Sequence, residues 1–495
     1  MKKTLQLVFL FTLFTASAQD INLRWAEKIK TKGQVSILGG KNGLYYTTHV
    51  NNDNELVGRT YDSNMSFTNE KVINFNLDDK KYSYQGAYFL NNQILHFIKD
   101  YKRKEDISYL YSGISDSKLV TSSTLNILDE EIDDNNPRRF GERSISPDST
   151  KIVIYHENRG KKKDPDILVY KVYNSSLTEV VNEGAASLPI KSKNFITENI
   201  EVDNIGNVYI LAKVYKEMKE VAKDNSKYYY KLIVFAKDKS IKEFDFEYPD
   251  NDISYIDILP GKNDTFFCAG FLTNLKGRKE KMISDEMFFA SLDCKTLTLS
   301  DSKMLKVPGL YPDEIKKVQD YVPYKIRNIF ERKDGGYTVV AEQYKLIVST
   351  HTSANGMTTT SYRYFYCDIA CIQTDEALEV TSVTRMPKYQ LNASNPSIIS
   401  TVKNDKTYII YEDLTKNIEA TDDKKTKRST KSIFSSDSKN ALFLLTIEKN
   451  GEMRKEIIYD YKESKIQPFI LGSRVIEDGL ILLNANDQLG ILEIK

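Results

Sequence analysis

The chain alternates short apolar runs with clusters of turn-forming residues, and this alternation repeats along its length. Its clearest copy is Ser144–Tyr173, where a strand-like run, a Pro-Asp turn, a second run, a charged loop and a third run follow one another. Short runs of β-branched and aromatic residues bounded by turn residues are typical of β-strands. The same order recurs eight times between Gln34 and the C-terminus, so the pattern predicts a repeat protein built of strands.

Eight turn clusters mark the repeats. Each is rich in Gly, Asn, Asp, Ser or Pro, residues that adopt turn or left-handed conformations at little cost. The clusters are Gly40–Gly43, Leu90–Asn92, Ser146–Ser149, Asn204–Asn207, Gly261–Asp264, Lys333–Gly336, Lys403–Asp405 and Glu477–Gly479. An apolar run follows each cluster at once, which predicts eight β-hairpins.

A third apolar run follows a variable loop in each repeat, and a more polar fourth run often comes next, as in SKLVTSSTLNIL and LEVTSVTRM. Polar strands suit the outer edge of a sheet. Four antiparallel strands repeated at roughly 50 to 70 residues describe the blade of a β-propeller. We therefore predict an all-β chain with eight four-stranded blades, or seven if the first repeat is not a blade.

The two ends of the chain predict how such a ring closes. The last repeat stops at its third strand, LGILEIK, while the run NLRWAEKI near the N-terminus belongs to no repeat. We expect this N-terminal strand to complete the last blade. Two separate smaller β domains are the alternative, which we disfavour because no linker rich in Pro, Gly and Ser separates the repeats.

The first 18 residues predict a secretory signal peptide. Lys2 and Lys3 precede the apolar run Leu5–Phe14, and Ala16-Ser17-Ala18 forms a small-residue cleavage site. The apolar run is too short for a membrane anchor, which needs roughly 20 residues, and no later run predicts a transmembrane segment. We expect residues 19–495 to form a single β-propeller domain, exported to the periplasm or outside the cell.

The net charge and the cysteines limit which partners and which covalent links the chain is expected to have. The formal net charge of the chain is +1, so the total indicates no nucleic acid partner. Export permits disulfides, and Cys268 and Cys294 lie in runs predicted to be neighbouring strands, which makes them a candidate disulfide. Cys367 and Cys371 lie on the same face of one run but too far apart to bridge each other, so we expect them to be buried thiols.

The sequence predicts no catalytic residue, no metal site and no cofactor. His49, His96, His156 and His351 occupy unrelated offsets in their repeats, so we expect structural or solvated roles. No GxSxG elbow, sialidase-type S-x-D-x-G-x-T-W box, calcium loop or glycine-rich phosphate loop occurs.

The loops between second and third strands carry the clearest functional signal. They are long in the middle repeats, at Asn158–Pro165, Lys216–Lys227, Asn274–Asp285, Lys345–Arg363 and Asp413–Lys439, and basic residues outnumber acidic ones across them. In a propeller these loops emerge on one face, so we predict a binding face that carries a cluster of basic side chains. Its candidate residues are Lys161, Lys162, Lys163, Lys276, Arg278, Lys279, Lys424, Lys425, Lys427 and Arg428. Solvated variable loops without a ligand are the alternative.

One repeat resembles a known family. The residues Ser146-Pro147-Asp148-Ser149-Thr150, followed by KIVIY, resemble the SPDGxxIxF element of the WD40-like repeats in TolB-type periplasmic propellers. The resemblance implies a propeller of the cell envelope and carries over no catalytic residue. Ser149 stands where that family usually has Gly. The overall layout also resembles exported propellers of Gram-negative bacteria that have no settled activity.

These observations favour an exported, non-catalytic binding or scaffolding propeller that holds a protein or glycan partner of the cell envelope on its basic loops. One alternative is a carbohydrate-active enzyme with carboxylates around a central channel lined by strands such as IRNIF and ISYIDIL. Another is a subunit of a cell-envelope protein machine, for which we expect an exposed apolar patch. The long loop Asp413–Lys439 is predicted to be flexible and dispensable for stability.

Overall fold

The computed structural model confirms the all-β prediction, with 67% strand and 3% helix. It describes residues 21–75, 82–132, 138–161, 164–217, 227–248, 251–261, 263–274, 283–311, 322–353, 355–393, 396–420, 426–427, 429–430, 439–464, 466–485 and 487–495. The predicted signal peptide, residues 1–18, lies outside these ranges.

In the described part of the chain the strands form eight sheets, the number that the repeats predict, and all strand pairs but Gln390–Leu391 with Ser429–Thr430 are antiparallel. Sheet 1 contains β2 (Ser36–Lys41), β3 (Leu44–Val50), β4 (Leu56–Tyr61) and β5 (Phe67–Val72). Sheet 2 contains β6 (Ser83–Leu90), β7 (Gln93–Lys102), β8 (Ile107–Asp116) and β9 (Asn126–Ile132). Sheet 3 contains β10 (Arg138–Ile145), β11 (Lys151–Asn158), β12 (Pro165–Asn174) and β13 (Val180–Lys191). Sheet 4 contains β14 (Phe195–Val202), β15 (Val208–Tyr215), β16 (Tyr228–Phe235) and β17 (Ile241–Phe246).

The second half follows the same order. Sheet 5 contains β18 (Asn251–Pro260), β19 (Thr265–Asn274), β20 (Ile283–Asp293) and β21 (Thr298–Lys306). Sheet 6 contains β22 (Tyr324–Glu331), β23 (Tyr337–Thr352), β24 (Thr358–Thr374) and β25 (Val380–Met386), extended by β26 (Gln390–Leu391) and β29 (Ser429–Thr430). Sheet 7 contains β27 (Ile398–Lys403), β28 (Lys406–Leu414), β30 (Asn440–Ile447) and β31 (Met453–Asp460). Sheet 8 contains β32 (Phe469–Glu477), β33 (Leu480–Asn484), β34 (Leu489–Ile494) and β1 (Ile21–Trp25).

Short helical turns connect some of these strands. Those in the described ranges are two short 3₁₀ helices, Ser192–Asn194 and Thr415–Asn417, and a four-residue α-helix, Tyr461–Ser464. Within each sheet the four main strands form a meander, because each is hydrogen-bonded to the one before it.

The N-terminal strand pairs with the last strand of the chain, as predicted. Trp25 lies opposite Gly490 and Ile21 opposite Ile494 in an antiparallel register. Arg24 also forms an ion pair with Glu493 at 3.1 Å. Sheet 8 therefore takes its fourth strand from the opposite end of the chain.

The predicted turns adopt the conformations that their residues favour. Asn404 and Asp405 have φ values of 52° and 59°, and Ser149, in the WD40-like turn, has φ 59°. The Ser146 side chain accepts a hydrogen bond from the Lys151 backbone N–H at 2.9 Å and donates one to Asp148 at 2.7 Å. These side-chain hydrogen bonds therefore stabilise the turn although Ser149 occupies the left-handed position that glycine usually takes.

The hydrophobic core lies between the sheets rather than inside any one of them. Tyr209 of sheet 4 stacks on Phe266 of sheet 5, with ring centroids 4.0 Å apart. Apolar clusters of this kind join each sheet to the next, and one further cluster joins sheet 8 to sheet 1 through Leu482 and Tyr61. First strands of neighbouring sheets contact one another, for example β2 with β6 and with β32, so these strands lie innermost.

Two predicted loops are ordered parts of the fold. The Lys345–Arg363 segment is a long hairpin, because β23 and β24 continue in register from Tyr344↔Tyr366 to Thr352↔Thr358. The Asp413–Lys439 segment begins inside β28, where Asp413 is buried and accepts a hydrogen bond from Asn417 at 2.9 Å. The buried Asn417 also bonds to the Lys427 backbone, and β29 pairs with β26. The prediction that this segment is dispensable for stability stays a prediction, and these contacts of its described parts argue against it.

Candidate functional site

Most of the predicted basic residues lie outside the described ranges. These are Lys162, Lys163, Lys276, Arg278, Lys279, Lys424, Lys425 and Arg428. Lys161 and Lys427 are described and exposed. They belong to the loops of sheets 3 and 7, which are not neighbours, so the structure does not bring these two side chains together.

The predicted disulfide between Cys268 and Cys294 does not form. Both residues are buried free thiols, and Cys268 lies opposite Ala290 rather than Cys294. Four residues of strand correspond to about 13 Å, well beyond disulfide reach. Cys367 and Cys371 are buried free thiols, as predicted.

The histidines lie apart, in structural settings. His96 is buried and hydrogen-bonds to Tyr84 at 3.1 Å and to Ser115 at 2.9 Å. His156 is buried between Asp129 at 2.7 Å and Glu131 at 2.8 Å. Within the described ranges, no group of three or more His, Cys, Asp or Glu side chains is placed to hold a metal ion.

A different set of residues converges on the loop-bearing face, and we call it the tyrosine–cation cluster. Its members lie on sheets 4, 5 and 6, at the end of each sheet from which the loops between second and third strands emerge. They are Glu198, Lys213, Tyr215, Tyr228, Tyr230, Tyr255, Lys325, Arg327, Tyr344 and Tyr366. Ring contacts and cation–ring contacts link most of these side chains into two groups, one on sheet 4 and one across sheets 5 and 6. The charges of Tyr255 and Glu198 act on Tyr230, so the two groups lie next to each other.

Backbone bulges aim two of its members into the cluster. Every first strand except β27 shifts register against its second strand, and in β14 and β22 the extra residues are Glu198 and Arg327. A bulge bends the strand and redirects a side chain, which is why bulges are common beside binding sites. The alternation of apolar and polar residues gives no sign of this shift.

The three cations lie over tyrosine rings. The Lys213 ammonium is 3.6 Å from the centroid of Tyr228. The Lys325 ammonium is 5.2 Å from Tyr255 and 5.4 Å from Tyr344. Arg327 lies 5.8 Å from both Tyr344 and Tyr366. Cation–π contacts of this kind stabilise a cation only partly, because a ring carries no counter-charge.

Neither lysine forms an ion pair with a carboxylate in the described part of the chain. Asp252 acts on Lys213, Asp257 acts on Lys325 and Glu198 acts on both, but only as charges at longer range. Burial lowers the pKa of Lys213. Burial, followed by the nearby charge of Arg327, lowers the pKa of Lys325. A half-buried ammonium group without a carboxylate partner is electrostatically suited to receive an anion.

Arg327 is held differently from the two lysines. Its guanidinium Nε donates to Glu342 Oε2 at 2.9 Å, and Glu342 is itself fully buried. The same carboxylate pairs with the buried ammonium of Lys388. This network fixes Arg327 at the base of the β23–β24 hairpin, where it contacts Tyr344 and Tyr366.

A pair of carboxyl groups lies further along the innermost strands. Glu201 of β14 accepts hydrogen bonds from Ser144 and, at 3.1 Å, from Asn199. Burial raises its pKa, and the charge of Asp257 raises it further. Burial also raises the pKa of Asp257, in β18, to about 6. Asp257 lies in ISYIDIL, one of the runs that the sequence predicts to line the channel.

A cavity of about 430 Å³ lies at the outer edges of sheets 5 and 6, between β21 and β25. Its Lys303 ammonium is already 3.3 Å from Glu379 and bonds to the Ala377 carbonyl. Because its charge is paired within the chain, this cavity is a weaker candidate than the tyrosine–cation cluster. No helix in the described ranges is long and apolar enough to span a membrane.

The solved structures that are similar to this chain include β-propeller domains, oligopeptidases and a polysaccharide lyase. No known sequence family matches the chain, and no curated protein is similar to it. The WD40 domain of SCAP from fission yeast has a TM-score of 0.39 at 10% identity, covering 96% of this chain and 98% of that one. The β-propeller domain of the Trilobed protease from Pyrococcus furiosus has 0.38 at 10% identity, covering 88% and 98%. The β-propeller domain of Cps50 (Swd1) from Myceliophteria thermophila has 0.31 at 7% identity, covering 84% and 100%. Similarity at this level carries no information on activity, ligand or partner.

Proposed function

We propose that the protein is an exported, non-catalytic binding propeller that holds an acidic protein or glycan of the cell envelope on its loop-bearing face. In this proposal the eight sheets close into one eight-bladed ring through the pairing of β1 with β34. A rigid ring presents a binding face without reorganising its core, so little of the binding free energy is spent on ordering the protein.

The observation that carries the proposal is the environment of Lys213 and Lys325. Both ammonium groups are half-buried against tyrosine rings, beyond ion-pair distance of the described carboxylates. A bound carboxylate, sulfate or phosphate group would supply the missing counter-charge, while the tyrosine rings offer flat surfaces for a sugar or an apolar side chain. The basic loops, including Lys161 and Lys427, would attract such a ligand at longer range.

Calorimetric titration tests this function with three probes: an oligogalacturonate, an oligoglutamate and a neutral maltooligosaccharide. We expect at least one acidic probe to bind and the neutral probe not to bind. The double variant Lys213→Met and Lys325→Met should weaken binding by tenfold or more, because each charge-assisted contact contributes about 1.5–3 kcal/mol. Lys99→Met is the matched control, since Lys99 also lies over an aromatic ring, Phe140 at 4.9 Å, but outside the cluster. Equal binding by the double variant would contradict the proposal.

A second candidate function rests on Glu201 and Asp257. A carboxyl group with a pKa of about 6 is partly protonated near neutral pH, as a general acid for glycosidic bond cleavage requires. The pKa of Glu201 is also raised, in part by the charge of Asp257, and two interacting acids of this kind favour a carbohydrate-active enzyme over other catalytic functions. Release of reducing ends from the oligogalacturonate during the titration, abolished by Asp257→Asn, would support this candidate instead.

A further inference from the structure

The β23–β24 hairpin extends beyond the sheet that carries it. The neighbouring strand β22 pairs with β23 only as far as Gln343, and β26 pairs with β24 only at Phe365 and Tyr366. Beyond these points β23 and β24 pair with each other as far as Thr352↔Thr358. We call residues 344–366 the ribbon. Most of its side chains are exposed.

One face of the ribbon is apolar and aromatic. Antiparallel pairing places Leu346 opposite Tyr364 and Val348 opposite Tyr362, so their side chains share one face. Val348 and Tyr362 are each 52% exposed, and Leu346 is 41% exposed. Large apolar side chains exposed side by side on a strand pair are uncommon on a surface that binds nothing.

This apolar face continues into the tyrosine–cation cluster. The next cross-strand pair towards the core is Tyr344 and Tyr366, whose rings are 5.0 Å apart and lie beside Arg327. An occupant of the ribbon would therefore lie against a surface that already favours negative charge.

The outer edge of β23 is open along residues 346–352. Among the described residues no strand pairs with this edge, and its sequence, LIVSTHT, is rich in β-branched residues. Exposed edge strands usually carry protective prolines, inward-facing charges or bulges, because their unpaired backbone groups recruit another strand. This edge has none of these features.

The charges of the ribbon indicate the chemistry of its occupant. Between residues 344 and 366 the basic side chains are Lys345, His351 and Arg363, and no Asp or Glu occurs. A second copy of the same ribbon would bring like charges together, which disfavours self-association. An acidic occupant would be complementary.

A buried ionic network fixes the ribbon at its base. Glu342, directly before the ribbon, is fully buried and bonds to Lys388, Arg327 and, at 3.1 Å, to Ser397. Lys388 in turn donates to Gln390 at 2.9 Å. Buried ion pairs contribute little net stability, but they specify a unique arrangement in some proteins. Here the network fixes the orientation of the ribbon relative to sheet 6.

We propose that the ribbon docks an extended segment of a partner protein, which adds as a strand to the open edge of β23 and alternates apolar with acidic side chains. Backbone hydrogen bonds to residues 346–352 supply affinity, and apolar side chains of the segment pack beside Leu346 and Val348. The acidic side chains complement the positive charges of Lys345 and Arg363. This docking goes beyond the anion site and does not require Lys213.

Fluorescence anisotropy with the full chain tests the proposal with four short labelled peptides. The first alternates Val with Glu, the second has the same sequence with N-methyl groups on alternate amides, the third alternates Val with Lys, and the fourth is a scrambled Val/Glu peptide. We expect the first to bind, and the others to bind at least tenfold more weakly. N-methylation blocks strand pairing without changing the side chains.

Two variants and one exchange measurement locate the contact. Leu346→Glu with Val348→Glu should weaken binding of the first peptide tenfold or more, whereas Ile241→Glu, at a similarly exposed strand position in sheet 4, should not change it. In the unmodified protein the peptide should protect the amides of residues 346–352 from hydrogen–deuterium exchange, a readout that does not depend on folding of the variants.

The outcomes separate this proposal from its rivals. No binding of the first peptide, or equal binding of the N-methylated peptide, would overturn strand addition. Equal binding of the Val/Lys peptide would overturn the acidic preference. A dimer that Leu346→Glu with Val348→Glu dissociates would show that a second copy is the occupant instead. Lys213→Met, which changes a cation whose described ring contacts all lie on sheet 4, should weaken anion binding and leave peptide binding intact, so failure of the anion site and failure of the ribbon are distinguishable.

Discussion

Individual histidines show how strongly local contacts decide chemistry in this chain. Burial lowers the pKa of His96 to about 4. Burial also acts to lower the pKa of His156, but the hydrogen bonds and charges of Asp129 and Glu131 outweigh it and raise that pKa above the ordinary value. One buried histidine is therefore neutral and another is charged near pH 6.5.

These two histidines should change the pH dependence of the unfolding free energy in opposite directions. The contribution of His96 is fully present above about pH 6.5 and is lost as the pH falls towards about 4, because the unfolded chain binds the proton more readily. The contribution of His156 is present below about pH 6.5 and is lost as the pH rises through its raised pKa. Histidine NMR titration, assigned with His96→Gln and His156→Gln, checks both directions. A His156 that titrates below pH 6.5 would contradict the role of its two carboxylates.

The residues of the candidate site illustrate what sequence patterns miss. Lys213 and Lys325 alternate with apolar residues as exposed strand residues normally do, so nothing in their spacing predicts that tyrosine rings surround them. Glu198 and Arg327 reach the cluster through bulges, which break the alternation without leaving a turn signal. The disulfide prediction failed because neighbouring strands were identified correctly but their register was not.

At the scale of elements, the sequence predicted most of the strands. Turn clusters such as Lys403–Asp405 and Lys333–Gly336 are followed by β28 and β23 as expected, since left-handed turn residues leave a local signal. The run Lys345–Arg363 was assigned to a loop because its Ser and Thr residues are polar. Cross-strand pairing of that run, not its composition, makes it a ribbon.

The pairing of β1 with β34 joins the two ends of the chain in one sheet. A Cβ atom at Gly490 would lie 2.5 Å from ring carbons of Trp25, so Gly490→Ala forces the indole away from β34. We expect this variant to lose about 1–3 kcal/mol of unfolding free energy, the usual cost of overpacking. Urea denaturation measures the loss.

Gly33→Ala is the matched control for that variant, because a Cβ at Gly33 meets no atom within 4 Å. Its unfolding free energy should stay within about 0.5 kcal/mol of the parent protein, as is usual for surface substitutions. Equal stability of Gly490→Ala and the parent would show that the β1–β34 pairing contributes little to the fold.

At the scale of the whole molecule, the repeats predict the fold, whereas the candidate sites lie on only a few of the sheets. Eight similar sheets arise from one repeated pattern, and apolar clusters such as that of Tyr209 and Phe266 lie between consecutive sheets. The tyrosine–cation cluster, the carboxyl pair and the ribbon all lie on sheets 4 to 6, where the repeats differ from one another. Function is therefore expected where the repeat symmetry is broken.

A crystal structure of the protein with a bound acidic probe tests the central claim most directly, namely that an anionic ligand is held on the tyrosine–cation cluster. We expect an intact probe whose carboxylate lies within hydrogen-bonding distance of the Lys213 and Lys325 ammonium groups. The ring of Tyr228 or Tyr255 should pack against the flat side of the probe. A probe bound between Glu201 and Asp257, or found cleaved there, would contradict the account and identify the channel carboxyl pair as the working site.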